Sequence, residues 1–181
     1  IPPSSIPTIL CGRREKWENR KENFMEQKEI EERLKATVNG PHQFSAYNNI
    51  FLEKVQTGRT EGRLFVTENS LNPHGMVHGG ALVTLADTMA GTCACSKYGN
   101  TCVTTNSTME YLRPGTAPWV RCVAVATKIG RTLSVVRVEL TDSQDRLVAT
   151  GTYTFCMMNV GDDRLRVEPA EKTLDKDKGQ C

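Results

Sequence analysis

Aromatic residues are scarce in this sequence: Phe, Trp and Tyr fill 6% of its 181 positions. A surface that reads single-stranded nucleic acid needs stacking rings along a positively charged track. The formal net charge is only +2, so no nucleic-acid partner is expected. Long apolar runs are missing too. None approaches the ~20 residues that cross a bilayer, and no membrane insertion is expected. Histidine occurs three times. The pair His74 and His78 sits in glycine-broken loop, without an HExxH glutamate or a third ligand close by, so no metal is expected. The seven cysteines (11, 93, 95, 102, 122, 156 and 181) are odd in number, and no secretory leader is expected with them. Cys93 and Cys95 are two apart on a helix and point different ways, which suits neither a disulfide nor a zinc site. They are expected as small reduced thiols in a cytoplasmic protein. No histidine is placed beside Cys93, Cys95 or Cys102, so none is expected as a nucleophile.

What is present centres on residues 71–95, LNPHGMVHGGALVTLADTMAGTCAC. The stretch begins as a loop, with Asn72-Pro73 and three glycines, and turns almost continuously apolar from Ala81. No polar face is visible, which predicts a helix over about 80–97 enclosed by the rest of the domain. Its single charge, Asp87, is costly in a buried helix unless paired, hydrogen-bonded or protonated.

On either side the pattern is strand-like. Residues 50–56 and 63–67 read as two strands around Thr57-Gly58-Arg59. Four more follow the helix, over 102–112, 120–129, 133–140 and 147–157, each closed by turn residues. Short connections predict antiparallel neighbours. A sheet covering one central helix makes an α+β domain, and its bare edges invite pairing with a second copy. This domain is expected over 42–160. Residues 1–41 are expected as a tail and a charged helix over 12–37, solvated or packed on another subunit, with an apolar line at Ile30, Leu34 and Val38. A flexible tail is expected over 161–181.

Gly79-Gly80 at the helix start leaves backbone N–H groups free, with the positive end of the helix dipole behind them. Such a place stabilises an oxyanion formed on an attacked carbonyl, although the pair also serves as a simple tight turn. Asp87 follows Gly79 by eight residues, about 12 Å along one helix. That is too far for both to meet one carbonyl. Two helices packed antiparallel across a dimer would bring Gly79 of one chain to Asp87 of the other.

In order, Asn72-Pro73-x-Gly75-x-x-His78-Gly79-Gly80, Leu85-Ala86-Asp87, Tyr111-Leu112-Arg113-Pro114, Lys128-x-Gly130-Arg131 and Leu147-Val148-Ala149-Thr150-Gly151 resemble the hotdog-fold thioesterases of the phenylacetyl-CoA thioesterase (PaaI-like) family. The resemblance covers roughly residues 44–158. It implies a hotdog fold, with five to six antiparallel strands wrapped around one central helix, here carrying an extra N-terminal helix. It also implies a homodimer that pairs into a tetramer, and hydrolysis of an acyl- or aroyl-CoA with no cofactor beyond the CoA of the substrate. Position by position, it makes Asn72 the loop asparagine and Gly79 the donor to the thioester carbonyl. Asp87 becomes the catalytic carboxylate, acting as general base or as nucleophile. Thr104, with Thr105 as the alternative, holds the attacking water. Lys128 and Arg131 meet the nucleotide end of CoA, and His78 and Gly80 join the substrate-binding junction. A non-catalytic acyl-CoA sensor on the same fold is the alternative reading, and such a sensor has no need of Asp87.

Overall fold

The computed structural model describes residues 26–158. The expected C-terminal tail over 161–181, the N-terminal tail and the first half of the charged helix lie outside the described residues. What is described runs α1 (Gln27–Asn39), α2 (Phe44–Tyr47), β1 (Ile50–Gln56), β2 (Arg59–Phe65), a short 3-10 turn (Glu68–Ser70), α3 (Gly79–Cys95), β3 (Thr101–Tyr111), β4 (Trp119–Ile129), β5 (Leu133–Asp142) and β6 (Leu147–Met158). The six strands form one antiparallel sheet in the order β1-β2-β4-β5-β6-β3. The sheet is wrapped on α3, which touches every strand, as the sequence predicts.

Alternation along the strands sets which side chains meet the helix. Leu64, Val120, Val136, Val138, Leu140, Tyr153 and Phe155 face it and are buried. From α3, Leu82, Leu85, Ala86, Met89, Ala90 and Cys93 complete the core. Close approach of helix and sheet depends on Gly62 of β2. A side chain there would run into the Phe51 carbonyl and the Met89 sulfur. Beside it the buried Thr60 hydroxyl donates to the Met89 carbonyl at 2.7 Å, tying β2 to the middle of α3.

Three expectations change. Strand β2 spans Arg59–Phe65 and not 63–67. Thr57-Gly58 alone makes the turn, with Gly58 at φ +76, so pairing starts at once with Gln56 opposite Arg59. The charged Arg59 and Glu61 point outward and disguise the inward Thr60 and Gly62 as turn residues. Helix α3 ends at Cys95, where the Ser96 hydroxyl donates to the Cys93 carbonyl at 2.7 Å. Nor is α3 enclosed all round. One face is buried, while Val83, Thr84, Asp87, Thr88 and Gly91 are only partly covered. Thr84 and Thr88 donate their hydroxyls to carbonyls one turn back, at 2.9 and 2.7 Å, so this face satisfies its own polar groups.

The two sheet edges are treated differently. At β1 the Asn39 side chain, at the end of α1, donates to the Leu52 carbonyl at 3.0 Å and accepts from the Leu52 N–H at 2.8 Å. It thereby stands in for a neighbouring strand. Helix α1 is held against β1 of its own chain by this pair and by the predicted apolar line, with Ile30 buried and Leu34 and Val38 packed on the core. Asn39→Ala is expected to cost about 1–3 kcal/mol, since it strands two backbone groups. The measurement is a lower urea midpoint at unchanged slope, and an unmoved midpoint would show that the Asn39 side chain contributes nothing to holding this edge. The opposite edge, β3, is exposed along almost its whole length.

Candidate active site

The loop before α3 is built by its own side chains. Asn72 Oδ1 accepts from the N–H groups of His74 and Met76, at 2.9 and 3.1 Å. Gly75 takes the positive φ, +74, that this tight return needs. The Val77 N–H donates to the Gly115 carbonyl at 3.0 Å and the His78 N–H to the Ser70 carbonyl at 2.8 Å, which fixes the entry into α3.

His78 is the N-cap of α3, and its Nδ1 accepts from the Gly80 N–H at 2.9 Å. Its carbonyl takes the N–H groups of Ala81 and Leu82. The Gly80 amide is thus committed to the cap. The Gly79 N–H has no hydrogen-bond partner among the described residues. It sits at the positive end of a 17-residue helix, where an anion or a developing oxyanion is stabilised. A cavity of about 370 Å³ opens here, lined by Asn72, Met76, Gly79, Leu82, Tyr111 and Arg113, among others. A Cβ built on Gly79 would stand 3.6 Å from the Tyr111 ring, so the ring forms the wall facing this amide.

A second cluster lies further along α3. Thr104 Oγ1 donates to Asp87 Oδ1 at 2.8 Å. A bulge in β3 sets up this contact. Thr104 pairs with Phe155 and Asn106 with Thr154, leaving Thr105 as the extra residue. The Thr105 hydroxyl is spent on the Thr154 carbonyl at 3.0 Å. Below the cluster, Tyr153 is 1% exposed and its hydroxyl has no hydrogen-bond partner among the described residues. Burial, and then the charge of Asp87, push its pKa well above the ordinary phenol value.

The structure therefore brings Asn72, His78, Gly79 and Gly80 together at one end of α3 and Asp87 with Thr104 in its middle. It does not bring the two groups to each other within one chain, in keeping with the ~12 Å implied by helical rise. Lys128 follows the bulge of β4 and Arg131 lies in the β4–β5 turn, both exposed. Neither is hydrogen-bonded to the other site residues. Sequence reasoning missed the site's two tyrosines. Tyr111 stands in a segment that matched the family pattern, which was the available signal. Nothing distinguishes Tyr153 from any core strand residue.

Residues 74–149 match the family model described as Thioesterase superfamily. Acyl-coenzyme A thioesterase PaaI of Escherichia coli (strain K12) is 36% identical over 85 residues, which are 46% of this chain and 60% of that protein. A hypothetical thioesterase of Streptococcus pneumoniae TIGR4, solved with coenzyme A, is 31% identical, with a TM-score of 0.60 over 65% of this chain and 91% of that one. The pneumococcal protein has also been solved with an aspartate and with a threonine replaced by alanine. A Streptococcus mutans UA159 protein bound to acetyl CoA is 29% identical, with a TM-score of 0.61 over 67% of this chain and 98% of that one. With its six-stranded sheet on one helix and these relatives, the chain belongs to the thioesterase superfamily and is a hotdog-fold thioesterase of the PaaI-like kind.

Proposed function

We propose that this protein hydrolyses the thioester of an acyl- or aroyl-CoA at two equivalent sites, each shared between the subunits of a homodimer. The observation that carries this reading is the split of the chemistry along α3. An open amide at a helix N-terminus faces a cavity, and a hydrogen-bonded carboxylate stands two turns away with its side of the helix only partly covered. A second copy, added at the open edge of β3 with the two α3 helices antiparallel, supplies each Gly79 with an Asp87 from across the interface. The bare β3 edge and the partly covered α3 face are the surfaces such a copy would cover. Two dimers pairing into a tetramer would leave this arrangement unchanged.

In the reaction, the thioester oxygen lies on the Gly79 N–H, where glycine allows close approach. With Asp87 as general base, the carboxylate takes a proton from water and the water oxygen bonds to the carbonyl carbon. The resulting oxyanion collapses, the C–S bond breaks, and the CoA thiolate takes the proton back from Asp87. With Asp87 as nucleophile, its oxygen forms the bond to carbon, CoA leaves, and water opens the resulting anhydride. Thr104 fixes one carboxylate oxygen in either route. Lys128 and Arg131 suit the phosphates of CoA at the surface, and His78 and Asn72 keep the loop in shape. The reaction needs no cofactor beyond the CoA of the substrate. A cytoplasmic location fits a protein whose described cysteines are all unpaired.

The test follows thioester absorbance directly over a panel of acyl- and aroyl-CoAs, because thiol reagents would also label the protein's own cysteines. Turnover supports hydrolysis and ranks the acyl groups. Tight binding of acyl-CoA with no release of CoA would replace this reading with that of a sensor. Thr104→Val is expected to lower kcat about ten- to a hundredfold, the worth of one hydrogen bond to a charged group. Thr105→Val should leave kcat within about twofold, as its hydroxyl serves only a strand carbonyl. Equal losses in the two variants would remove Thr104 from the site.

A further inference from the structure

Cys95 closes α3 and Cys102 stands at the start of β3, and the fold sets their sulfurs 3.5 Å apart. A groove of about 370 Å³ lies beside them, walled by Arg33, Leu34 and Val38 of α1, by Gly91 of α3 and by Asn100. It is separate from the cavity at Gly79, and it gives a small reagent a way to a pair of thiols that are otherwise covered. We propose that Cys95 and Cys102 are a dithiol redox site that closes to a disulfide on reaction with a small hydroperoxide.

The two sulfurs have different roles. As thiols, Cys95 donates to the Cys102 sulfur, and the Cys102 S–H lies 3.6 Å from the Gly91 carbonyl. Once Cys95 loses its proton, the bond reverses and Cys102 donates to the thiolate. That bond, aided by the charge of Arg33 and opposed by burial, holds the Cys95 pKa below the usual thiol range. The same bond, together with burial, keeps Cys102 protonated. Cys95 is therefore the attacking sulfur, since the thiolate is the nucleophile. The deeper thiols are unsuited to the task, and burial pushes Cys93 up to about 12.

In the first step the Cys95 thiolate bonds to one peroxide oxygen and the O–O bond breaks. The other oxygen leaves as alcohol or water after taking a proton, and Cys95 becomes a sulfenic acid. The Cys102 sulfur then bonds to the Cys95 sulfur, the S–O bond breaks, and the hydroxyl leaves as water with the Cys102 proton. Two thiols lose two electrons and the hydroperoxide gains them. Closure needs the sulfurs to come from 3.5 Å to about 2.05 Å, within reach of side-chain rotation and a small shift of the 96–101 turn. Cys102 lies two residues before Thr104, on the same face of β3. The bond would therefore brace the seam that holds Thr104 against Asp87.

The experiment treats the reduced full-length protein with hydrogen peroxide under native conditions. Remaining thiols are then alkylated in denaturant, and peptides are weighed. A Cys95–Cys102 cross-linked peptide, two hydrogens lighter than the separate thiols, should form at least about tenfold faster than Cys93 or Cys122 is modified. Dithiothreitol should reverse it. In Cys102→Ser, Cys95 should stop at a sulfenic acid trapped by dimedone. Cys102→Ala repeats this measurement if serine disturbs the strand. In Cys95→Ser, Cys102 should stay reduced. The proposal is overturned if both thiols remain alkylatable while peroxide is consumed at Cys11, Cys156 or Cys181. It is equally overturned if either sulfur links to a different cysteine.

Discussion

Asp87→Asn is expected to lower kcat by about two to four orders of magnitude, the usual worth of a positioned acid–base group. The acyl-CoA affinity and the fold should remain. Asparagine matches the carboxylate in size, and its amide oxygen can still accept the Thr104 hydroxyl that now sits 2.8 Å from Asp87 Oδ1. No cavity opens in the core, because this face of α3 is only partly covered in one chain. What asparagine cannot do is take a proton from water or form an anhydride. If Asp87 were only a structural carboxylate, the variant would instead lose stability and keep its turnover. Thermal unfolding and kcat measured on the same preparation separate the two outcomes. A single turnover of the wild-type protein in isotopically labelled water then distinguishes the chemistries. Label entering the Asp87 carboxylate means nucleophilic attack with the anhydride opened at the Asp87 carbonyl, whereas label found only in the product acid means that water adds to the acyl carbon.

Much of this site is visible in the sequence because its parts break local rules. A charge inside an apolar helix, and three glycines around the start of that helix, are both costly without a purpose. The strands themselves were readable for a related reason, since alternation and turn residues punctuate β3 to β6. Their order was not: despite the short connection from β3 to β4, β3 pairs with β6 and β4 with β2. The partly covered face of α3 was not readable. Threonines bonded to their own helix, together with small residues, look from sequence like a fully enclosed surface. Contacts between distant positions were hidden as well. Asn39 and Leu52 are thirteen residues apart and meet only once α1 lies on β1. The Cys95–Cys102 pair was equally invisible, because the spacing that drew notice was Cys93 to Cys95. The bulge that leaves Thr105 out of the ladder decides which of two adjacent threonines reaches Asp87. No single-strand pattern encodes that choice.

The shared site makes a stronger demand than loss of activity in any one variant. Gly79 is the first residue of α3 and follows His78 at φ −63, ψ 138. That is the extended conformation required before a proline, and the first helical position is where proline is best tolerated. Gly79→Pro therefore deletes one N–H with little cost to folding. Loss of an oxyanion donor should lower kcat about 10²- to 10³-fold, whereas Gly79→Ala keeps the amide and should retain much more of it. The proline variant is the complement of Asp87→Asn. In a heterodimer of the two, one interface joins an intact Gly79 to an intact Asp87, and the other joins both defects. After unfolding and refolding an equal mixture, half the dimers should be mixed, each with one of its two sites working. Activity should therefore return to about a quarter of wild type from two nearly inactive proteins. A site assembled within one chain gives no such recovery, because every chain in the mixture carries a defect. Mixing without refolding is the control, and the recovered fraction should follow subunit exchange.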